Sequence, residues 1–278
     1  MKKIVFILFF LISFVAKNQN LVPNPSFEQF YTCPTGLSQF DGYVKQWYSA
    51  NTATPNYLNR CALVSTFASV PNNLNGCFQN ARTGNAYSVF ETYGYSGDDT
   101  KEYISITLSD TLKLNKKYII GFYLSLTNGN DINSGSTYAI DRMGVYLTDT
   151  IFHFAQPFTI PVNPQVESPA GLFFKDTLNW MLCSFEYIAQ GNEKCITIGN
   201  FHFSDSTNNI QVSNSIRYTA VYYIDDVFVY AADEVQTAEA GNNITICKGD
   251  SIKIGMPTDT GYTYQWLPAT GLSNDTIG

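Results

Sequence analysis

The sequence predicts an all-β protein built around one antiparallel β-sandwich. Three observations support this prediction. Apolar residues with the period of a helix are almost absent, and strand-like runs recur between clusters of Gly, Asn, Asp and Pro. Aromatic residues make up 15% of the chain, whereas charged residues make up only 14%. Such a composition is typical of an exported β-rich protein and excludes a disordered chain.

Seven runs of the sequence predict strands, which suffice for one sandwich in about 210 residues. The uniformly apolar run 119–126 predicts a central strand. Residues 189–193 predict a hairpin loop, which would place Glu186 opposite Cys195. The predicted strands are 86–92, 102–108, 117–127, 142–147, 180–188, 195–203 and 218–230.

The first 19 residues predict a secretory signal peptide. Lys2 and Lys3 precede an apolar run over residues 4–15, which is too short to span a bilayer comfortably. An uncleaved N-terminal anchor is the alternative. After cleavage we expect no transmembrane span, and we expect the protein to be secreted or held on the outer cell surface.

The net charge excludes one class of partner. Loss of Lys2 and Lys3 with the signal peptide takes the formal charge from -7 to -9. Nucleic-acid binding needs clustered Lys and Arg residues that neutralise phosphates. A sparsely charged, acidic chain therefore predicts no nucleic-acid partner.

The six cysteines predict disulfide chemistry and not a zinc site. No Cys-x-x-Cys pair occurs, and His153 and His202 are far apart in the sequence. Export makes disulfides possible, and a Cys33–Cys61 bridge would tie down the long irregular region 33–82. For Cys183 and Cys195, the sequence does not decide between a disulfide bridge and two free buried thiols.

Two segments about two hundred residues apart, 20–28 and 221–230, predict that the two ends of the sandwich meet. Asp225 and Asp226 lie in the middle of the apolar second segment. Because successive strand residues face opposite sides, one carboxylate should point into the core, which is costly unless it is compensated. Calcium held by Glu28, Asp225 and Asp226 would compensate it. The alternative is that Asp225 accepts backbone N–H bonds and no metal binds.

The sequence contains none of the common catalytic motifs, and we predict that this chain is not an enzyme. Four carboxylates could form a glycosidase pair, although nothing in the sequence brings two of them together: Glu91, Glu102, Asp141 and Glu186. Five aromatic residues in the loop-rich half could instead form a ligand-binding platform for stacked sugar rings: Trp47, Tyr48, Tyr57, Tyr93 and Tyr95.

Several motifs in order resemble the N-terminal jelly-roll domain of exported Bacteroidota surface proteins. The motifs are Asn-Leu-Val-Pro-Asn-Pro-Ser-Phe-Glu at 20–28, Arg-Thr-Gly-Asn-Ala-Tyr at 82–87, Tyr-Ala-Ile-Asp at 138–141, Ile-Thr-Ile-Gly-Asn-Phe at 196–201 and Tyr-Tyr-Ile-Asp-Asp-Val at 222–227. That domain is similar to galactose-binding-like and carbohydrate-binding jelly rolls. The resemblance implies a jelly roll over residues 20–231, and a structural calcium on Glu28 and Asp225 with Asp226 as a further partner.

The last part of the chain predicts a linker over residues 232–241 and a second module over 242–278. Cys-Lys-Gly-Asp at 247–250 and Tyr-Gln-Trp-Leu-Pro-Ala-Thr-Gly-Leu at 264–272 resemble the start of a PKD-like or immunoglobulin-like module. Such modules often precede a sorting domain for type IX secretion. Since fewer than forty residues are too few to close a sandwich, we expect the sequence to be the N-terminal part of a longer protein.

These observations predict a non-catalytic binding module, with a glycan or another cell-envelope or extracellular polymer as its partner. One alternative is a structural or adhesive stalk of a surface protein. Another is an accessory module of an enzyme whose catalytic domain lies outside this chain.

Overall fold

The computed structural model describes residues 19–94, 99–129, 131–232 and 251. Internal contacts group Asn20–Asp233 into one compact unit. Two five-stranded antiparallel sheets form this unit, together with two two-stranded ribbons. In the described ranges, helical elements of three residues or more are limited to the 3-10 turns Val64–Thr66 and Ser204–Ser206.

The fourteen strands are numbered in chain order. They are β1 (Trp47–Ser49), β2 (Asn56–Asn59), β3 (Asn72–Asn73), β4 (Cys77–Phe78), β5 (Ala86–Gly94), β6 (Ile104–Thr107), β7 (Lys117–Leu126), β8 (Tyr138–Ile140), β9 (Gly144–Thr148), β10 (Val166–Glu167), β11 (Met181–Ile188), β12 (Cys195–Gly199), β13 (Asn209–Gln211) and β14 (Thr219–Ala231). The first sheet has the order β1-β6-β12-β9-β10, and the second has the order β11-β7-β14-β5-β2. The ribbons are β13-β8 and β3-β4.

The predicted all-β jelly-roll sandwich is confirmed, and each of the seven predicted strands has a counterpart. The apolar run expected to be central forms β7, which lies between β11 and β14. The main core lies between the two sheets, where alternate residues of facing strands are buried. Ile120, Phe122 and Leu124 of β7 belong to this core, and burial of each such side chain stabilises the fold by about 1.5–3 kcal/mol.

A second apolar cluster covers one half of the outer face of the second sheet. Its members come from β2, β4, β5, β14 and the chain before β3. They are Leu58, Val70, Cys77, Tyr87, Val89 and Tyr223. The irregular region between β2 and β5 is therefore held on the sheet by packing.

The predicted Cys33–Cys61 disulfide is confirmed, with an S–S distance of 2.09 Å. The expected hairpin between β11 and β12 is wrong, because the two strands belong to different sheets. Glu186 pairs with Ile119 of β7 and not with Cys195. Cys183 and Cys195 are both free and buried, which settles the alternative that the sequence left open. Turn residues such as those at 189–193 indicate where a strand ends, but they do not indicate which sheet the next strand joins.

Several predictions fall outside the described residues. These are nearly all of the signal peptide, the linker after residue 232, the module over 242–278, Cys247 and Tyr95. They remain predictions. Among the described residues, no helix is long and apolar enough to cross a membrane.

Candidate functional site

A β-bulge in β14 places Asp225 and Asp226 on the same side of the second sheet. The pairing of β14 with β7 shifts register between Asp225 and Phe228, and Asp226 has a φ of 48°. Ile224 before the bulge and Val227 after it both point into the main core. The expectation that one carboxylate enters this core is therefore wrong, because it assumed unbroken alternation along the strand.

Backbone N–H groups compensate the buried carboxylate of Asp225. Its Oδ2 accepts hydrogen bonds from the backbone N–H of Arg82 at 2.9 Å and of Thr83 at 3.3 Å. Its Oδ1 accepts the N–H of Asp226 at 2.7 Å. Burial, with a further contribution from the neighbouring Asp226 charge, nevertheless raises the pKa of Asp225 to about 8. The backbone N–H donors that the alternative expectation for Asp225 requires are therefore present.

Asp226 is bound by side chains instead. The Arg82 guanidinium and the Ser26 hydroxyl donate to its two oxygens, and the Thr83 hydroxyl donates to Oδ1 at 2.6 Å. Asp225 therefore binds the backbone of the loop 82–86, and Asp226 binds the side chains of Arg82 and Thr83.

Glu28 holds the other end of the same loop. Its Oε1 accepts the backbone N–H of Asn85 at 2.7 Å and of Ala86 at 2.9 Å. Gly84 lies between these contacts with a φ of 64°, and a Cβ atom there would lie 2.3 Å from Glu28 Oε1. Only glycine fits this position, because it tolerates the positive φ and leaves room for the carboxylate.

The predicted meeting of the two end segments of the sandwich, 20–28 and 221–230, is observed. The Leu21 N–H donates to the Val229 carbonyl at 2.9 Å. The side chain of Asn20 donates to the Val227 carbonyl and accepts from the Val229 N–H, both at 3.0 Å. The N-terminal segment therefore satisfies backbone groups of β14 that lie beyond the end of its pairing with β5.

The donor set around Glu28, Asp225 and Asp226 does not fit a calcium cage. Calcium takes six to eight oxygen ligands, whereas N–H groups and a guanidinium face these carboxylates. In the described part of the chain, no three His, Cys, Asp or Glu side chains converge to hold a metal. Calcium binding at these residues is a prediction, and a chelation experiment tests it.

Three of the five aromatic residues proposed as a ligand platform are buried. Trp47, Tyr57 and Tyr93 are 3%, 0% and 3% exposed. Trp47 stacks on Phe27 with ring centroids 4.8 Å apart and donates its Nε1–H to a backbone carbonyl. The platform expectation is wrong for these three residues, since their rings belong to the main core. Tyr48 is half-buried and lies in the first sheet.

A different group of rings lies on the uncovered half of the outer face of the second sheet, where Tyr123, Phe228 and Tyr230 are partly exposed. We call this surface the open face; it is formed by alternate residues of three neighbouring strands, Ile119, Gly121 and Tyr123 of β7, Leu182, Ser184 and Glu186 of β11, and Phe228 and Tyr230 of β14. Gly121 forms the floor of this face, because the Phe228 ring lies where a Cβ would stand, at 2.5 Å. The missing side chain thus lets an aromatic ring lie flat on the sheet.

A shallow cleft of about 360 Å³ adjoins the open face beside the bulge. Its rings are Tyr123, Phe228 and Tyr230, and Arg82 and Thr83 line its polar side. Phe228 and Tyr230 stack with centroids 5.4 Å apart, and the Arg82 guanidinium lies 3.4 Å from the centroid of the Tyr123 ring. The cleft therefore combines flat aromatic surface with fixed hydrogen-bond donors, which is the composition of small-ligand sites.

The cations of the open face are paired with carboxylates of the same surface. Arg82 pairs with Asp226, and Lys117 donates to Glu186 at 2.9 Å. Because the charges cancel locally, this surface offers apolar rings and hydrogen-bonding groups without a net charge of either sign.

The structure also brings together two of the four carboxylates that the sequence left apart. The Glu91 N–H donates to Glu102 Oε2 at 2.7 Å, and the Glu102 N–H donates to the Glu91 carbonyl at 2.8 Å. Burial raises the pKa of Glu102 to about 8, and the neighbouring Glu91 contributes to the rise. Asp141 lies apart, buried where its carboxylate accepts the Gly171 N–H, and Glu186 lies on the open face.

Comparison with known proteins gives low similarity throughout. No family model and no curated protein matches the sequence. A cyclase from Fischerella sp. TAU is 14% identical, with a TM-score of 0.42 and coverage of 76% of this chain and 95% of that chain. The CBM22-1 xylan-binding domain from Paenibacillus barcinonensis Xyn10C is 12% identical, with a TM-score of 0.34 and coverage of 72% and 97%. The K1 cleaved adhesin domain of Lys-gingipain from Porphyromonas gingivalis is 14% identical, with a TM-score of 0.37 and coverage of 74% and 95%.

We expect Gly84→Ala to destabilise the domain by about 1–3 kcal/mol more than Gly42→Ala, measured by urea unfolding. Both glycines have positive φ, so both substitutions strain the backbone. Only at position 84 does the new Cβ displace the Glu28 carboxylate, since Gly42 has open space around it. Equal losses for the two variants would show that the Glu28 contact contributes nothing.

We expect the stability of the domain to fall as the pH rises from about 4.5 to about 8. The unfolded chain releases the protons of Asp225 and Glu102 near their ordinary pKa values of 3.8 and 4.5, whereas the folded state keeps them until about 8. Folding is therefore favoured by proton binding within this window, and the advantage disappears as pH rises through it. Urea unfolding from pH 4.5 to 9 measures the slope, and Glu102→Gln should reduce it. A stability that rises across this window contradicts the assignment.

The calcium prediction has a separate test. If calcium binds, EDTA lowers the melting temperature and added calcium restores it, with about 2–3 kcal/mol of stabilisation at a hundred times the dissociation constant. Magnesium added after EDTA serves as the control for ionic strength. An unchanged melting temperature would mean that calcium does not stabilise the domain and that protein groups, chiefly those of the loop 82–86, offset the carboxyl groups of Glu28, Asp225 and Asp226.

Proposed function

We propose that this domain is a non-catalytic module that binds a neutral glycan on the open face and its adjoining cleft. The observation that carries the proposal is the set of three accessible rings, Tyr123, Phe228 and Tyr230, beside fixed hydrogen-bonding groups. Sugar rings present apolar C–H faces that pack on aromatic rings, while their hydroxyls need donors and acceptors at the edge.

The rigidity of the open face favours this function. The rings stand on β7 and β14, which are paired along most of their length, so little conformational entropy is lost when a ligand is bound. The Arg82 guanidinium is held between Asp226 and the Tyr123 ring, which restricts its position beside the rings. Preorganised aromatic and polar groups of this kind suit a weakly interacting ligand such as a sugar.

The pairing of charges favours a neutral ligand over an acidic one. A uronic-acid or sulfated glycan requires cations that are free to pair with it. Arg82 and Lys117 are instead paired with carboxylates on the same surface. Binding of an acidic glycan would have to break these pairs first.

The Cys33–Cys61 disulfide supports a location in an oxidising compartment, consistent with a secreted or outer-surface protein. Origin in the Bacteroidota and export by type IX secretion rest on the sequence resemblance and remain predictions.

A structural or adhesive role is the second candidate, favoured by one observation. β11 is an edge strand, and its outer face carries the exposed aliphatic side chains Leu182 and Ile188, which are 50% and 62% exposed. A protein partner could bind these side chains and pair with the strand. Binding to cell-envelope protein without dependence on sugar would favour this role. The accessory-module alternative concerns sequence beyond this chain.

A glycan array followed by calorimetry tests the proposal. We expect Phe228→Ala and Tyr230→Ala each to weaken binding of a neutral glycan up to about tenfold, since one aromatic contact contributes about 0.5–1.5 kcal/mol. Tyr31→Ala is the matched control, because Tyr31 is 68% exposed and lies outside the open face. Binding restricted to acidic glycans, or equal losses for the control and the two variants, would overturn the proposal.

A further inference from the structure

A second cleft, of about 250 Å³, lies outside the open face. We call it the glutamate cleft and define it by Thr54, Asn56, Asn75, Glu91, Glu102 and Arg217. It shares no lining residue with the cleft beside the bulge. The two clefts are therefore separate places on the same domain.

The glutamate cleft has a neighbour of about 340 Å³. Thr127 lines both clefts, and the segment 134–136 borders both, since Gly135 lines one and Ser134 and Ser136 line the other. Gly135 has a φ of 70°, and a Cβ there would lie 2.4 Å from the Gly129 nitrogen. Close packing of Gly135 on Gly129 therefore fixes the position of the segment 134–136.

Amides and hydroxyls form most of the lining of the neighbouring cleft, whereas the glutamate cleft mixes them with charged and apolar side chains. The neighbouring cleft is lined by side chains such as Asn128, Asn214, Thr177 and Ser213. In the glutamate cleft, Asn56 and Thr54 lie beside the apolar side chains of Leu74 and Val221. Side chains that both donate and accept suit the hydroxyl groups of a sugar, and the summed size is within the range of small-ligand sites.

We propose that the glutamate cleft and its neighbour form a second binding site for a neutral oligosaccharide. The ligand class rests on the proposed function, whereas the site itself rests on the size and lining of the two clefts. A domain with two separate sites could bind two positions of one polymer or two chains, which raises avidity without new contacts.

Glu102 makes the second site sensitive to pH. Its Oε2 accepts the Glu91 N–H, and with its raised pKa of about 8 it holds a proton at neutral pH. A protonated carboxyl donates one hydrogen bond, which an ionised one cannot. The other titratable or charged groups that line the glutamate cleft are Glu91, Arg217 and the Cys77 thiol. Loss of the Glu102 proton would place a second negative charge beside Glu91, so the site should weaken as pH rises through about 8.

Calorimetry with the neutral hexasaccharides cellohexaose, xylohexaose and mannohexaose, and with the strongest neutral ligand of the array, tests the second site. We expect two sites per domain at pH 6.5 and one at pH 9.5. Thr54→Trp should leave one site at both pH values, because the exposed Thr54 lines the glutamate cleft and a bulky ring there fills it. Glu102→Gln should keep two sites at both, because the amide donates without titrating.

The outcomes separate this proposal from the proposed function. One site in the wild type that Phe228→Ala weakens and Thr54→Trp leaves unchanged overturns the second site only. One site that Thr54→Trp removes and Phe228→Ala leaves unchanged supports the glutamate cleft and overturns the open face. An absence of binding to any neutral glycan overturns both. Thermal melting of each variant confirms that a lost site does not reflect unfolding.

Discussion

The arrangement of this domain depends on the compensation of one buried carboxylate. Asp225 is fully buried, and three backbone N–H groups donate to it, two of them from the loop 82–86. Without these donors, each unsatisfied polar atom of the buried carboxyl group would cost about 1–3 kcal/mol. The loop therefore has to lie across β14 at this point, and Glu28 and Gly84 are the residues that hold its other end.

The bulge beside Asp225 links this compensation to the candidate site. It reverses the alternation of β14, so that Phe228 and Tyr230 point to the outer face while Val227 and Val229 enter the core. If the same residues alternated without a bulge, the two rings would be buried and the valines exposed. The same bulge thus lies where segments 20–28 and 221–230 meet, binds the loop 82–86 through Asp225 and Asp226, and turns an aromatic surface outward.

One half of the outer face of the second sheet is accessible because no other segment of the described structure packs on it. The segment between β2 and β5 packs on Tyr87, Val89 and Tyr223 and buries that half of the outer face. The half formed by β11, β7 and the end of β14 stays open. Similar aromatic residues in one sheet therefore have opposite roles, as core residues beneath the covering segment and as candidate ligand contacts beyond it.

The sequence by itself determined the all-β class and the positions of the seven main strands, because alternation and turn residues are local signals. It also predicted the meeting of segments 20–28 and 221–230 and favoured the Cys33–Cys61 bridge, which the tertiary structure shows. Only the tertiary structure decided which aromatic rings are exposed, which sheet β12 joins and that Glu91 meets Glu102. Trp47 and Phe228 show the reason. Both are aromatic residues in predicted or short strands, and their exposure depends on a covering segment and a one-residue bulge, which composition and period do not report.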